Sequence, residues 1–414
     1  MVAAECFDVL LVTSAQWLEH PVPRRQAMSR YATLALLAAL TGPARAALAQ
    51  QDAQSQFMQG ERYRVGAGIP SDQVMAREWY LKAAAQGHAK AQYQLGMIYN
   101  YGRGVPKDAP QAIAWYKKAA AQDDGSAQLE LGEIYQYGRG VPKDWTQAFP
   151  WFRQSADAGE MMAMLKLGFA YRFGLGTAKN PLQALEWFRK ADAKGAFTAS
   201  YDIGLMYFSG EGVPADEREA VTWFRKGAAG GEYGPAMRAL AYMYLNGRGG
   251  LTRDSAEALR LYQKAADKGD GPAQNFVGWT YETGTRVPKD PAQAEGWYRK
   301  AAQNNDPDGQ FNLARSYANG IGIPKDPVQA VAWYQKAAEQ GYPAAQFYLG
   351  YSYLLGTGVA MDSVAGYQWL YLASKQDPEN KDYQVRLAAL EARIRGDLMA
   401  RGKVLALDWL KRRG

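Results

Sequence analysis

The sequence predicts an all-α fold: an α/α solenoid of nine helix-turn-helix repeats of about 36 residues, followed by a C-terminal helical cap. Three observations predict it. A tyrosine returns as Tyr63, Tyr99, Tyr135, Tyr171, Tyr207, Tyr244, Tyr281, Tyr317 and Tyr353, at intervals of 36 or 37 residues. Each stands three residues before a glycine, and sixteen or seventeen before an aromatic residue or leucine that is usually tryptophan. Apolar residues inside each interval recur at helical spacing, and no stretch alternates with period two. A unit of this size cannot bury its own apolar face, so the units must stack into one quasi-linear array.

The first fifty residues fall outside the repeats. Arg24, Arg25 and Arg30 precede an apolar run from Tyr31 to Leu40, and Ala47-Leu48-Ala49 leads into Gln50. That order matches a bacterial secretory signal: a basic region, an apolar run too short to span a bilayer, and a small-residue cleavage site. Residues 1–49 are read as an N-terminal extension and signal peptide, with cleavage near Ala49. Glu5, Asp8 and Glu19 are foreign to a signal's basic region, which places the start of translation at Met28. The mature protein is expected to be periplasmic or secreted and not membrane-spanning.

The second repeat shows how each unit forms. Ala91, Leu95, Ile98 and Tyr99 make one stripe of a helix, which ends in Tyr101-Gly102-Arg103-Gly104, where glycine supplies the left-handed backbone that stops it. Asp108 then offers a carboxylate to the free amides of a second helix, whose stripe is Ala112, Trp115, Tyr116 and Ala119. Equivalent caps are Asp72, Asp144, Asn180, Asp216, Asp254, Asp290, Asp326 and Asp362. Gly96, three before the tyrosine, lets the partner helix approach, as do Gly132, Gly168, Gly204, Gly278 and Gly350; Ala241 and Ala314 take the position in two units. The repeats run over residues 50–376. Past Asp377 the glycine pair is missing, and Val385, Leu387, Leu390, Ile394 and Leu398 predict one or two helices over residues 377–414 covering the last apolar face.

Leu95-Gly96, Tyr99, Gly102, Gly104, Val105, Asp108, Trp115-Tyr116 and Lys118-Ala119-Ala120 together resemble the Sel-one-like repeat, a relative of the tetratricopeptide repeat. The resemblance covers about residues 55–375. It implies a right-handed superhelix acting as a non-catalytic scaffold for protein–protein contacts, often exported in bacteria. Three departures stand out. Arg286 replaces the second glycine of the seventh unit, so its turn is expected to differ in shape. The sixth unit carries extra residues around Gly249-Gly250 and Leu261 for tryptophan, which predicts a kink or an altered superhelical phase. A cysteine-rich subgroup of the family is associated with β-lactam binding or hydrolysis, and its paired cysteines are absent here.

Composition narrows the chemistry. Cys6 is the only cysteine and His20 and His88 the only histidines, which removes thiolate zinc sites, disulfide frameworks and Cys/His nucleophilic pairs from the repeats. No cofactor, metal or catalytic residue is assigned. The net charge of +7 is modest for 414 residues and permits an acidic partner without requiring one. Export argues against nucleic acid. A cell-envelope hydrolase, or a solenoid that binds envelope glycan, is the alternative.

Partner-binding candidates come from the face of the first helix turned away from the recurrent tyrosine, at positions five before, two before and two after it. By analogy with tetratricopeptide-like solenoids this face lines a concave groove. It carries Phe169, Phe173, Tyr242, Phe276, Trp279, Arg315, Tyr348 and Tyr351. Aromatic anchors of this kind fit a protein or peptide segment lying in the groove. The Trp-Tyr stripe of the second helix is read as core.

Overall fold

A computed structural model describes residues 42–413. Among them are twenty helices and no strand. In chain order they are α1 (Gly42–Val65), α2 (Gln73–Ala85), α3 (Ala89–Tyr101), α4 (Ala109–Ala120), α5 (Gly125–Tyr137), α6 (Trp145–Asp157) and α7 (Met161–Phe173). There follow α8 (Pro181–Ala193), α9 (Phe197–Ser209), α10 (Glu217–Gly230), α11 (Gly234–Asn246), α12 (Ser255–Asp267), α13 (Gly271–Thr283) and α14 (Pro291–Gln303). The last are α15 (Pro307–Asn319), α16 (Pro327–Glu339), α17 (Pro343–Leu355), α18 (Ser363–Gln376), α19 (Lys381–Glu391) and α20 (Gly396–Arg413). Helices pair in order, α1 with α2 through α5 with α6 and α9 with α10 through α17 with α18, and Gly168 of α7 lies against Phe188 of α8, giving the nine repeats of an α/α solenoid; α19 and α20 pack on α18. The chain divides into two compact units between Ala163 and Met164, inside α7. The proposed start at Met28 and the apolar run of the signal lie outside the described residues, while Ala49 falls within α1.

Each repeat is closed by the same backbone bond. The amide of the residue capping the second helix donates to the carbonyl of the recurrent tyrosine, from Asp72 to Tyr63 through Asp362 to Tyr353, at 2.7–2.9 Å in all nine. The side chains of the nine predicted caps accept amides of the helix that follows. Each such cap contributes about 1 kcal/mol. The recurrent tyrosine closes the turn through its carbonyl, and in most repeats its ring is only half-buried.

The deepest side chain is the second aromatic of the second helix. In the first unit Tyr80, Tyr116 and Phe152 are fully buried, and in the second unit Phe188 and Tyr298. Each ring lies on the glycine three before the tyrosine. A Cβ on Gly96 would meet Tyr116 at 2.5 Å, and one on Gly168 would meet Phe188 at 2.4 Å. The preceding tryptophan is mostly half-buried, and a lysine three residues on covers it: Lys118 lies 4.1 Å above Trp115, Lys300 3.8 Å above Trp297. The stripe is core on its tyrosine side and a cation-covered flank on its tryptophan side.

Two departures from the repeat leave its turn closed. Arg286 adopts φ +74, the left-handed backbone that Gly104 and Gly322 adopt at the same point of their turns, so the seventh turn keeps its path. The extra residue of the sixth repeat is taken up between Gly247 and Asp254, and the Asp254 amide still reaches the Tyr244 carbonyl at 2.9 Å. Leu261 is buried there in place of the tryptophan. In the cap, Leu387 is buried, and Leu390 and Ile394 pack beside it. Val385, expected to join them, is 66% exposed because α19 buries Tyr383 and Leu387, four residues apart, and Val385 falls on the opposite side.

Candidate functional site

The first helices of successive repeats lie side by side in the second unit, α9 against α11 and α13 against α15. On their outward face is a hollow of about 530 Å³ lined by Tyr201, Leu205, Phe208, Arg238, Tyr242, Tyr262, Asn275, Phe276, Trp279, Asp308 and Asn312 among others. Three predicted residues meet here. Tyr242 and Trp279 are each 41% exposed, and Phe276 is half-buried between them in depth. Phe276 stacks on Tyr262 at 3.9 Å and leans on Trp279 at 5.8 Å; Tyr242 meets Phe208 edge-on at 6.3 Å. Burial pushes the Tyr262 hydroxyl up to about 12, so it remains a neutral donor.

Polar groups edge the hollow in fixed positions. Arg238 donates to Asp270 at 2.8 Å, and the same carboxylate caps α13 through the Ala273 amide. The Asn312 amide donates to Asn275 Oδ1 at 2.8 Å. Asp308 accepts the Tyr342 hydroxyl at 2.8 Å. Arg248 lies 4.7 Å from the Phe208 ring and donates to the Tyr242 hydroxyl at 3.1 Å, while its other side pairs with Glu217. The walls are thus held before any ligand arrives, which lowers the entropy cost of binding.

A second hollow of about 280 Å³ collects Arg315, Tyr334, Tyr348 and Tyr351. Tyr348 stacks on Tyr334 at 5.5 Å and is 47% exposed. Arg315 is turned to Glu282, at 2.5 and 2.7 Å, and Glu282 also accepts the Tyr298 hydroxyl. Its guanidinium therefore bridges two repeats as well as edging the hollow. Phe169 and Phe173 line neither hollow: they stack on each other at 6.3 Å, with Phe173 57% exposed.

The first-helix residues before the tyrosine that the sequence reading missed sit six and nine positions ahead of it, Tyr201, Arg238 and Asn275, then Pro272 and Asp308; Phe208, just after its tyrosine, and Phe224 and Tyr262 on second helices also line the hollow. At ~100° per residue the positions six and nine ahead lie within about 40° of the predicted face, so helical arithmetic extended by one row would have found the residues there.

His88 is structural. It caps α3, its Nδ1 accepting the Ala91 amide at 3.1 Å, and its ring stacks on Phe57 at 4.7 Å. Burial, then the charge of Lys90, hold it below the usual histidine range. Among the described residues no group of three or more His, Cys, Asp or Glu is placed to hold a metal ion, and no helix is long and apolar enough to cross a membrane.

Stacked two-helix repeats with an open face of first helices define a tetratricopeptide-like repeat protein. The chain belongs to the Sel1 repeat family: its repeat model matches residues 53–88, 89–124, 125–160, 162–195, 198–232, 234–270, 271–306, 307–342 and 343–378. Among solved structures the chain is similar to a Sel1 repeat protein from Oxalobacter formigenes, at 32% identity and TM-score 0.58, over 77% of this chain and 92% of that one. It is also similar to c5321, described as a protective antigen present in uropathogenic Escherichia coli strains and displaying an SLR fold. That likeness has 30% identity and TM-score 0.54, over 87% of this chain and 85% of the other. No curated protein matches it significantly. Proteins of this family generally mediate protein–protein interactions and are generally non-catalytic.

Proposed function

We propose that this protein is an exported, non-catalytic scaffold of the bacterial envelope that holds an extended polypeptide segment of a partner against α9, α11 and α13. The observation that carries the reading is the hollow in which Tyr242, Phe276 and Trp279 converge. Its rings accept an aromatic or branched aliphatic side chain, and the Asn275–Asn312 pair and Asp308 offer hydrogen bonds to the main chain beside it. The signal-like order of residues 24–50 supports export, and the likeness to a protective antigen is in keeping with it.

The test is selection of binders from a displayed random-peptide library on the full chain, followed by titration of a selected peptide. Trp279→Ala with Phe276→Ala should weaken that peptide by at least about tenfold, the scale of a hot-spot loss, with unchanged helix content. An undiminished affinity would overturn the reading, as would preferential binding of envelope glycan fragments or turnover of a β-lactam or glycan.

A further inference from the structure

The second glycine of a turn is a seat as well as a bend. It rests on the opening residues of the preceding repeat's second helix: a Cβ on Gly140 would meet Ala109 at 2.2 Å, one on Gly322 the Pro291 carbonyl oxygen at 2.0 Å, and one on Gly358 the Pro327 carbonyl oxygen at 2.1 Å. Arg286 holds this point in the seventh repeat and carries a Cβ, so its turn stands off the start of α12. Between them lies a hollow of about 580 Å³, with Ser255, Ala256 and Leu259 of α12 on one wall and Tyr281, Arg286 and Val287 on the other. It shares no residue with the hollow around Trp279.

No bond within the fold answers the strain at Arg286. Of the other non-glycine residues with left-handed backbone, Asp123 and Asn305 are types that tolerate it, and Glu232 pairs with Lys268. Arg286 is exposed and makes no hydrogen bond or ion pair among the described residues. Strain of this kind persists at ligand clamps, and an observed outlier is ground for a functional reading. The charge of the hollow points the same way. Arg260, the other cation on its lining, is held by Glu257 at 2.6 Å through both Nε and Nη2, and Gln263 is turned to Asp267 at 3.2 Å. One net positive charge remains, on Arg286, beside an apolar wall of Leu259 and Val287. Ser255 opens α12, whose dipole adds to the positive field there.

We propose that this hollow binds a monocarboxylate with an aliphatic body. The planar guanidinium of Arg286 offers the carboxylate two parallel N–H donors. The Ser255 hydroxyl donates beside it, and the aliphatic part lies on Leu259 and Val287. A dianion such as phosphate would leave one of its charges unanswered, and a neutral amide would not engage the charge of the arginine. The site stands apart from the peptide-binding reading above, because it needs only α12, the end of α13 and the seventh turn.

The probe is 4-methylpentanoate, titrated into the full chain at neutral pH and followed by 15N amide shifts, with 4-methylpentanamide and inorganic phosphate as controls. The amides of Ala256 and Val287 should shift saturably with the acid, and the two controls should bind at least about fivefold more weakly. Acetyl-glycyl-leucine, run beside it, presents the same chemistry at a chain end; saturable binding of either acid supports the site, and the tighter of the two names its source. Arg286→Gly should weaken the acid by about tenfold or more, the scale of a lost hydrogen bond to a charged group. Its Tm should equal or exceed the parent's, since glycine takes this point in the other repeats, so the lost binding is not lost fold. The comparison of acid with amide needs no variant and stands whatever that substitution does to folding. Absence of saturable shifts at these amides with both acids, equal affinity for the amide or for phosphate, or undiminished affinity in a folded Arg286→Gly would each overturn the inference.

Discussion

A Cβ placed on Gly96 would stand 2.5 Å from both Cδ1 and Cε1 of Tyr116, closer than any real side chain tolerates. The two helices of a repeat are therefore spaced by a missing side chain as much as by a present one. Gly96→Ala should destabilise the protein by about 1–3 kcal/mol, the usual cost of overpacking. Gly296→Ala, in α14 where nothing lies within 4 Å of the added atom, should do the reverse by about 0.5–1 kcal/mol. Urea unfolding of the two variants checks the pair; losses of equal size would show that close approach does not set the spacing.

Asp202 gives stability a pH dependence. Burial raises its carboxyl to about 7 despite Arg172 at 3.2 Å; Glu211 and Lys179 complete that ion-pair group, and Tyr233 lies nearby. The folded chain holds this proton more tightly than the unfolded one, whose carboxyl titrates near 3.8. The contribution is therefore full below about pH 4 and is lost as pH rises through about 7. Asp202→Asn should melt about 2–4 °C higher than the parent at pH 8 and no higher at pH 4. Thermal unfolding followed by circular dichroism at the two pH values reads it.

Arg286 sits at φ +74, where a side chain costs roughly 1–2 kcal/mol and glycine almost nothing. Arg286→Gly should raise stability by about 1 kcal/mol. A loss instead would mean that the arginine's contacts beside Ser255, Leu259 and Arg260, where a hollow of about 580 Å³ lies at the seam, outweigh its backbone strain. Equilibrium denaturation measures the sign directly.

Much of this molecule is written in its period. Nine aspartate or asparagine caps, the helix pairs and the close glycine contacts follow from local chemistry: a short polar side chain ahead of a helix, or a small residue facing a ring. The exposed aromatic row was legible where the 100° rule applies: Tyr242, Phe276 and Trp279 line one hollow and Tyr348 and Tyr351 another. Arg238 and Asn275 lie beyond a face drawn opposite the tyrosine, because burial of Leu95, Gly96 and Ile98 shows the centre of the buried face to be rotated towards the preceding turn of helix. The pairing of Arg315 with Glu282 was invisible for another reason. It depends on side chains from two neighbouring repeats meeting, and periodicity within one chain segment says nothing of such seams. Val385 shows the same limit at the end of the array, where no further repeat fixes the phase.

The bond from the Asp254 amide to the Tyr244 carbonyl spans ten residues, where its eight counterparts span nine. Length inside that clasp is consequently decoupled from the geometry outside it, and natural variation can lengthen the hairpin without disturbing either flanking helix. The same decoupling makes Thr252 and Arg253, both exposed and clear of the Arg248 contacts, a place to graft an epitope or a tether.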